Sequence, residues 1–240
     1  MLFDVLGPLQ VTAPAGPVHL PAGKAPAVLA WLAANVGEPV SLASVADAVW
    51  GDGDDLPKAA GAVRQLQRLL GDVLEVHERV RLAVDSEAVD LHRFERLVAE
   101  GRHLLDHDLG RAEHCLAAAL QLWRGAPFPE LDRAVPVIGL VDRLHELHLV
   151  AVEELTGIAL RGTVGYPLVA QLRAEVILNP DRPRLRRQLS IALYRTGRQV
   201  EALQTLEEAR QELPDPSYGV LQAALLQHAA ELDDGEYGEC

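Results

Sequence analysis

The stretch KAAGAVRQLQRLLGDVLEVHERVRLAV, which runs from Lys58 to Val84, decides the fold of the N-terminal part of the chain. Apolar residues at helical spacing predict a helix over Lys58–Leu70, and Gly71 is a residue type that commonly ends helices. The following residues alternate between apolar and polar side chains on both sides of a short turn. This alternation predicts a β-hairpin with strands in Val73–His77 and Val80–Val84.

The residues before this stretch predict a small sheet and two more helices. Ser41 is a good N-cap residue for the second of them. The predicted elements are strands at Leu2–Leu6, Gln10–Thr12 and Val18–Leu20, and helices over Ala27–Ala34 and from Ser41 through Trp50. Residues 1–90 are therefore predicted to form an α/β domain in the order strands, three helices, hairpin.

Residues 91–232 predict helices only, so the fold class is mainly α with an N-terminal α/β domain. Ile158-Ala159-Leu160 recurs as Ile191-Ala192-Leu193, and this spacing near 34 residues is typical of tetratricopeptide repeats. The acidic, glycine-containing residues 233–240 are predicted to be a flexible tail. The predicted helices begin near Leu91 and then cover Leu109–Trp123, a long segment through Leu144 to Ile158, Tyr166–Leu178, Pro183–Arg195, Gln199–Leu213 and about Tyr218–Leu232.

Composition limits the functional classes. The 240 residues include 22 Lys and Arg against 35 Asp and Glu, a net charge of −13, which argues against a protein that binds nucleic acid over its whole surface. Two cysteines are too few for a disulfide framework. With no signal peptide and no apolar run of membrane-spanning length, we expect a cytoplasmic protein without a membrane partner.

No group of residues predicts catalysis, a cofactor or a metal site, so we expect a protein that is not an enzyme. The pairs His103 and His107, and His145 and His148, lack the further ligands that zinc requires. The segment Gly51–Asp55 lacks the spacing of a calcium loop, and no glycine-rich phosphate motif or nucleophile elbow is present.

Five short motifs, taken in their order along the chain, resemble the Streptomyces antibiotic regulatory protein (SARP) family. The resemblance covers about Leu2 to Leu232. It implies an OmpR-like winged-helix DNA-binding domain over residues 1–90 and a tetratricopeptide-like bacterial transcriptional activator domain over 91–232. The motifs are Val5-Leu6-Gly7-Pro8-Leu9-Gln10-Val11, Val49-Trp50-Gly51, Val89-Asp90-Leu91-His92-Arg93-Phe94, Leu122-Trp123-Arg124-Gly125 and Ala192-Leu193-Tyr194-Arg195-Thr196-Gly197-Arg198.

The resemblance implies a pathway-specific activator of a secondary-metabolite gene cluster. In such a protein the third helix enters the major groove of promoter DNA and the hairpin contacts the neighbouring backbone. Two copies usually bind side by side on direct repeats, and the loop before the third helix contacts RNA polymerase. The implied DNA-binding residues are Lys58, Arg64, Gln65, Gln67, Arg68, Arg79 and Arg81, and the implied polymerase-contact residues are Asp52, Asp54 and Asp55.

The sequence departs from the family pattern on the third helix. Family members usually carry Val-Ser-Arg-Leu-Arg-Arg where this chain has Val63-Arg64-Gln65-Leu66-Gln67-Arg68. Residues 1–90 hold six Lys and Arg but twelve Asp and Glu, a net charge of −6. The alternative hypothesis is therefore a SARP-like protein that has lost DNA binding and acts as an adaptor, binding a pathway protein or peptide in the groove of its helical half.

Overall fold

A computed structural model describes residues 1–51, 55–131 and 135–227, with the backbone alone described at 135 and 136. The described chain forms two compact units, Met1–Ala151 and Val152–Cys240. No helix in the described ranges combines the length and the hydrophobicity needed to cross a bilayer. The predicted division into domains 1–90, 91–232 and 233–240 stays a prediction.

The N-terminal sheet consists of three short antiparallel strands, β1 (Leu2–Asp4), β2 (Gln10–Ala13) and β3 (Gly16–Pro17). The third strand was predicted at Val18–Leu20, and that position is wrong. Pro14 and Ala15 make a tight turn, so that Gly16, at φ +124°, already pairs with Ala13.

Three helices follow the sheet: α1 (Ala25–Ala34), α2 (Leu42–Trp50) and α3 (Leu56–Leu70). The Ser41 hydroxyl accepts a hydrogen bond from the Ser44 N–H, as predicted for the N-cap of α2. Gly71, at φ +62°, ends α3. The hairpin is formed by β4 (Leu74–Val76) and β5 (Val80–Leu82), and it packs against α3.

The rest of the described chain is helical. In the second unit, Ala192, Ala202 and Ala209 are buried where α8 and α9 pack against each other, and the small side chains allow this close approach. The helices are α4 (Asp90–Leu104), α5 (Leu109–Gln121), α6 (Val135–Arg161), α7 (Tyr166–Leu178), α8 (Pro183–Arg195), α9 (Gln199–Glu212) and α10 (Pro216–Gln227).

A buried carboxylate at the start of α4 holds the end of β1. Asp90 is 1% exposed and accepts hydrogen bonds from the backbone N–H groups of Val5 (2.7 Å) and Leu6 (3.0 Å). Burial raises the pKa of the Asp90 carboxyl, whereas these two donors act in the opposite direction. Because Val5 and Leu6 donate to Asp90, β1 ends at Asp4 and not at Leu6 as predicted.

The segment after α5 binds the backbone carbonyl groups of the same two residues, Val5 and Leu6. The N–H of Arg124 donates to the Leu6 carbonyl (2.7 Å), and that of Phe128 donates to the Val5 carbonyl (3.0 Å). A Cβ at Gly7 would lie 2.9 Å from the Arg124 Cβ, so only glycine fits there. The N-terminal sheet is thus fixed to the helical segment α4–α5 by backbone groups and one carboxylate.

We predict that Asp90→Ala destabilises the protein by about 2–4 kcal/mol, because it leaves two buried N–H donors unpaired. Urea unfolding followed by circular dichroism measures this loss. Asp85→Ala is the control, since the Asp85 carboxylate accepts a hydrogen bond from the exposed Glu87 N–H at the start of a 3-10 turn. Equal stability losses for the two variants would contradict the role given to Asp90.

Candidate nucleic-acid interface

Helix α3 has one face in the protein core and one in solvent. Ala59, Val63, Leu66 and Leu70 are buried against the neighbouring helices and the hairpin. Successive residues of a helix are about 100° apart, so the opposite face presents Lys58, Gly61, Arg64, Gln65 and Arg68. Four of these five residues, all except Gly61, belong to the set to which the family resemblance assigns DNA contacts.

The structure separates the two glutamines that the sequence analysis grouped together. Gln65 lies on the outward face, whereas Gln67 lies on the flank of α3 between that face and the core. Residues two apart on a helix point in nearly opposite directions, so a flat partner cannot contact both side chains at once.

Two of the predicted DNA-binding cations are paired with carboxylates of the same unit. The Lys58 ammonium lies 2.8 Å from an Asp55 oxygen. The Arg81 guanidinium donates two hydrogen bonds to Glu75 Oε2, at 2.8 and 3.0 Å, from the opposite strand of the hairpin. These pairs reduce the positive potential that Lys58 and Arg81 offer to DNA.

The other predicted cations keep their charge available. Arg64 and Arg68 have no ion pair with any carboxylate of the described residues, and the Arg68 Nε donates to the Arg64 carbonyl at 3.3 Å. Arg79 is exposed at the hairpin turn and donates to the Pro39 carbonyl at 3.3 Å. Of the predicted DNA-binding cations, those without a carboxylate partner among the described residues therefore lie along α3 and at the tip of the hairpin.

One of the three residues predicted to contact RNA polymerase lies within the described residues. Asp55 stands at the N-terminus of α3, where its carboxylate pairs with Lys58. Asp52 and Asp54 lie outside the described residues.

The sequence analysis missed a groove beside the outward face of α3. The groove measures about 370 Å³ and is lined by His19, Pro21, Gln65, Arg68 and Leu69. Leu69 is apolar but 40% exposed. Nothing in the local pattern links residues 19–21 to α3, because their approach depends on how the sheet packs.

The histidines do not form a metal site within the described residues, where no three His, Cys, Asp or Glu side chains come together to hold an ion. His148 packs on Trp123, with ring centroids 4.4 Å apart, and Trp123 also meets Phe94 edge-on at 5.5 Å. Burial, and secondly the nearby charge of His145, lowers the pKa of His148 from 6.5 to about 4.

Three helices followed by a hairpin define a winged-helix unit, and the helices after it form packed pairs. The family model of the bacterial transcriptional activator domain matches residues 89–216. Transcriptional regulator RedD of Streptomyces coelicolor is 33% identical over 238 residues, which cover 93% of this chain and 67% of RedD. Regulatory protein DnrI of Streptomyces peucetius is 29% identical, covering 95% of this chain and 90% of DnrI.

A solved structure gives the same result for the fold. Mycobacterium tuberculosis EmbR in complex with a low affinity phosphopeptide aligns with a TM-score of 0.86 and 27% identity, covering 99% of this chain and 68% of the EmbR chain. The chain therefore belongs to the Streptomyces antibiotic regulatory protein family and carries a bacterial transcriptional activator domain. RedD, DnrI and EmbR are all named as regulators.

The helical glycines Gly61 and Gly101 are predicted to respond oppositely to alanine. A Cβ at Gly61 meets nothing within 4 Å, so Gly61→Ala should stabilise the protein by about 1 kcal/mol through helix propensity. A Cβ at Gly101 would lie 2.7 Å from the Leu116 Cγ, so Gly101→Ala should destabilise it by about 1–3 kcal/mol. Urea unfolding tests both, and a stability loss in Gly61→Ala would contradict the position of Gly61 on an open face.

The pKa of His148 predicts a loss of stability in acid. Its neutral form is favoured in the folded protein, so its contribution is complete above pH 6.5 and falls as the pH drops towards 4, by at most about 1.4 kcal/mol per pH unit. His148→Gln should make the free energy of unfolding less dependent on pH between 6.5 and 4, whereas substitution of the exposed residue in His107→Gln should leave that dependence as in the wild type. Parallel pH profiles for wild type and His148→Gln would refute this.

Proposed function

We propose that this protein is a pathway-specific transcriptional activator of a secondary-metabolite gene cluster and binds direct repeats in promoter DNA through α3 and the β4–β5 hairpin. The observation that carries the proposal is the outward face of α3, where Arg64 and Arg68 are exposed and free of described carboxylates. A helix with one buried face and a cationic outer face is suited to the major groove, whose width admits a helix.

The hairpin supports the same proposal less strongly. Arg79 at its tip is available to a phosphate, while Arg81 must first leave Glu75. Exposed ion pairs of this kind contribute little to stability, so a phosphate can replace the carboxylate at low cost. We further propose that two copies bind side by side. We also propose that the segment before α3 contacts RNA polymerase through Asp52, Asp54 and Asp55.

Fluorescence anisotropy with duplexes from the promoters of the neighbouring gene cluster tests DNA binding. Arg64→Ala and Arg68→Ala should each weaken binding by about tenfold and reduce the salt slope by about 1. Glu75→Gln should strengthen binding, because it frees Arg81 and removes a negative charge from the hairpin.

Arg111→Ala is the matched control for these variants. It removes the same single charge from an exposed arginine on α5, away from α3 and the hairpin. If Arg111→Ala weakened binding as much as Arg64→Ala, the attraction would reflect net charge and not α3. If the wild type bound the promoter duplexes no more tightly than a random duplex, the activator function would be refuted.

The second candidate is an adaptor that binds a protein or peptide through the helical half. One observation favours it: on α7 the exposed residues Tyr166, Ala170, Ala174 and Ile177 follow one another at helical spacing, with Tyr166 72% and Ile177 77% exposed. Exposed apolar faces of this kind often mark interaction sites. A pull-down with wild type and Ile177→Asp should recover a cluster-encoded protein only with wild type if the adaptor function is correct.

A further inference from the structure

The groove beside α3 combines an unused amide with apolar side chains. Gln65 and Leu69 are one helical turn apart and face Pro21 across a space of about 370 Å³. No described residue hydrogen-bonds the Gln65 amide, and the Leu69 side chain is 40% exposed. An amide that can both donate and accept therefore lies next to an apolar surface open to a partner.

Among the base pairs of DNA, an A·T pair matches this combination. In the major groove adenine presents the N7 acceptor and the N6 amino donor, and thymine presents a methyl group. A glutamine amide satisfies both adenine positions at once, and an aliphatic side chain packs on the methyl. Guanine offers two acceptors there, which would leave the amide oxygen of a glutamine without a donor.

We infer that Gln65 and Leu69 read one A·T pair in each half-site, with Gln65 bonding adenine N6 and N7 and Leu69 contacting the thymine methyl. Gly61 lies one turn before Gln65 on the same face and lacks a Cβ, so α3 can approach the base edges closely. Arg68 borders the same groove and supplies a charged donor for the adjoining phosphate.

This inference rests on the proposed DNA-binding function, and selection from a random duplex library tests the two separately. The wild-type chain should enrich direct repeats with an A·T pair at one position, and the identity of that base pair should depend on residue 65. Gln65→Arg should change that pair to G·C while the other positions stay the same, because arginine matches the two acceptors of guanine. Gln121→Ala, which removes an exposed glutamine amide at the end of α5, should leave every position unchanged.

Base analogues at the assigned A·T pair test which atoms of the bases Gln65 and Leu69 contact. Replacing adenine by 7-deazaadenine removes the N7 acceptor and should weaken wild-type binding by about tenfold, but should not weaken binding of Gln65→Ala further. Replacing thymine by deoxyuridine removes the methyl and should weaken binding of wild type but not of Leu69→Ala. Circular dichroism melting checks that the variants are folded, as expected for exposed positions.

The outcomes separate the two proposals. If wild type enriches a motif and Gln65→Arg enriches the identical motif, the reading role of Gln65 is refuted while DNA binding stands. If deoxyuridine weakens binding of wild type and Leu69→Ala equally, Leu69 does not contact the methyl and the site as stated is wrong. If wild type enriches no sequence, the proposed function fails, and this inference with it.

Discussion

The packing of the first compact unit depends on the hydrogen bonds that the buried Asp90 carboxylate accepts. This carboxylate links residues 85 and 84 positions apart in the sequence, because its two oxygens accept the N–H groups of Val5 and Leu6. A buried charge without partners would be strongly unfavourable, so the position of the chain around β1 is fixed by the need to satisfy this group. The winged-helix segment is for this reason joined to α4–α5 and not hinged at residue 90.

A second constraint is the charge of the first unit. Its net negative balance does not act uniformly, because Asp55 and Glu75 each neutralise a cation that the family resemblance assigns to DNA. Such exposed pairs add little to the free energy of folding. Their main physical consequence is to weaken attraction to phosphate. Among the predicted DNA-binding cations, Arg64, Arg68 and Arg79 are then the ones without a carboxylate partner in the described residues.

Local sequence rules predicted most of the elements and failed where distant residues meet. Helices α7 and α8 and the caps at Ser41 and Gly71 follow from spacing and residue type within one turn. The early end of β1 and the groove beside α3 could not be predicted, since both depend on contacts between remote segments. The pairing of Glu75 with Arg81 could not be predicted either. The predicted strands leave a two-residue turn that would place Leu82 opposite Glu75, whereas in the structure Val76 pairs with Val80 and so brings Arg81 opposite Glu75.

Because the two faces of α3 are independent of each other, family membership can coexist with changed residues on the outward face. Ala59, Val63, Leu66 and Leu70 fix the helix against the core whatever residues stand on its outer side. Replacing arginine by glutamine at an exposed position therefore leaves the fold unchanged while removing a charge and changing the hydrogen-bonding pattern offered to a base. A close match in fold consequently carries no information about what the outward face of α3 contacts, and the proposed reading of DNA depends on that face and on the groove beside it.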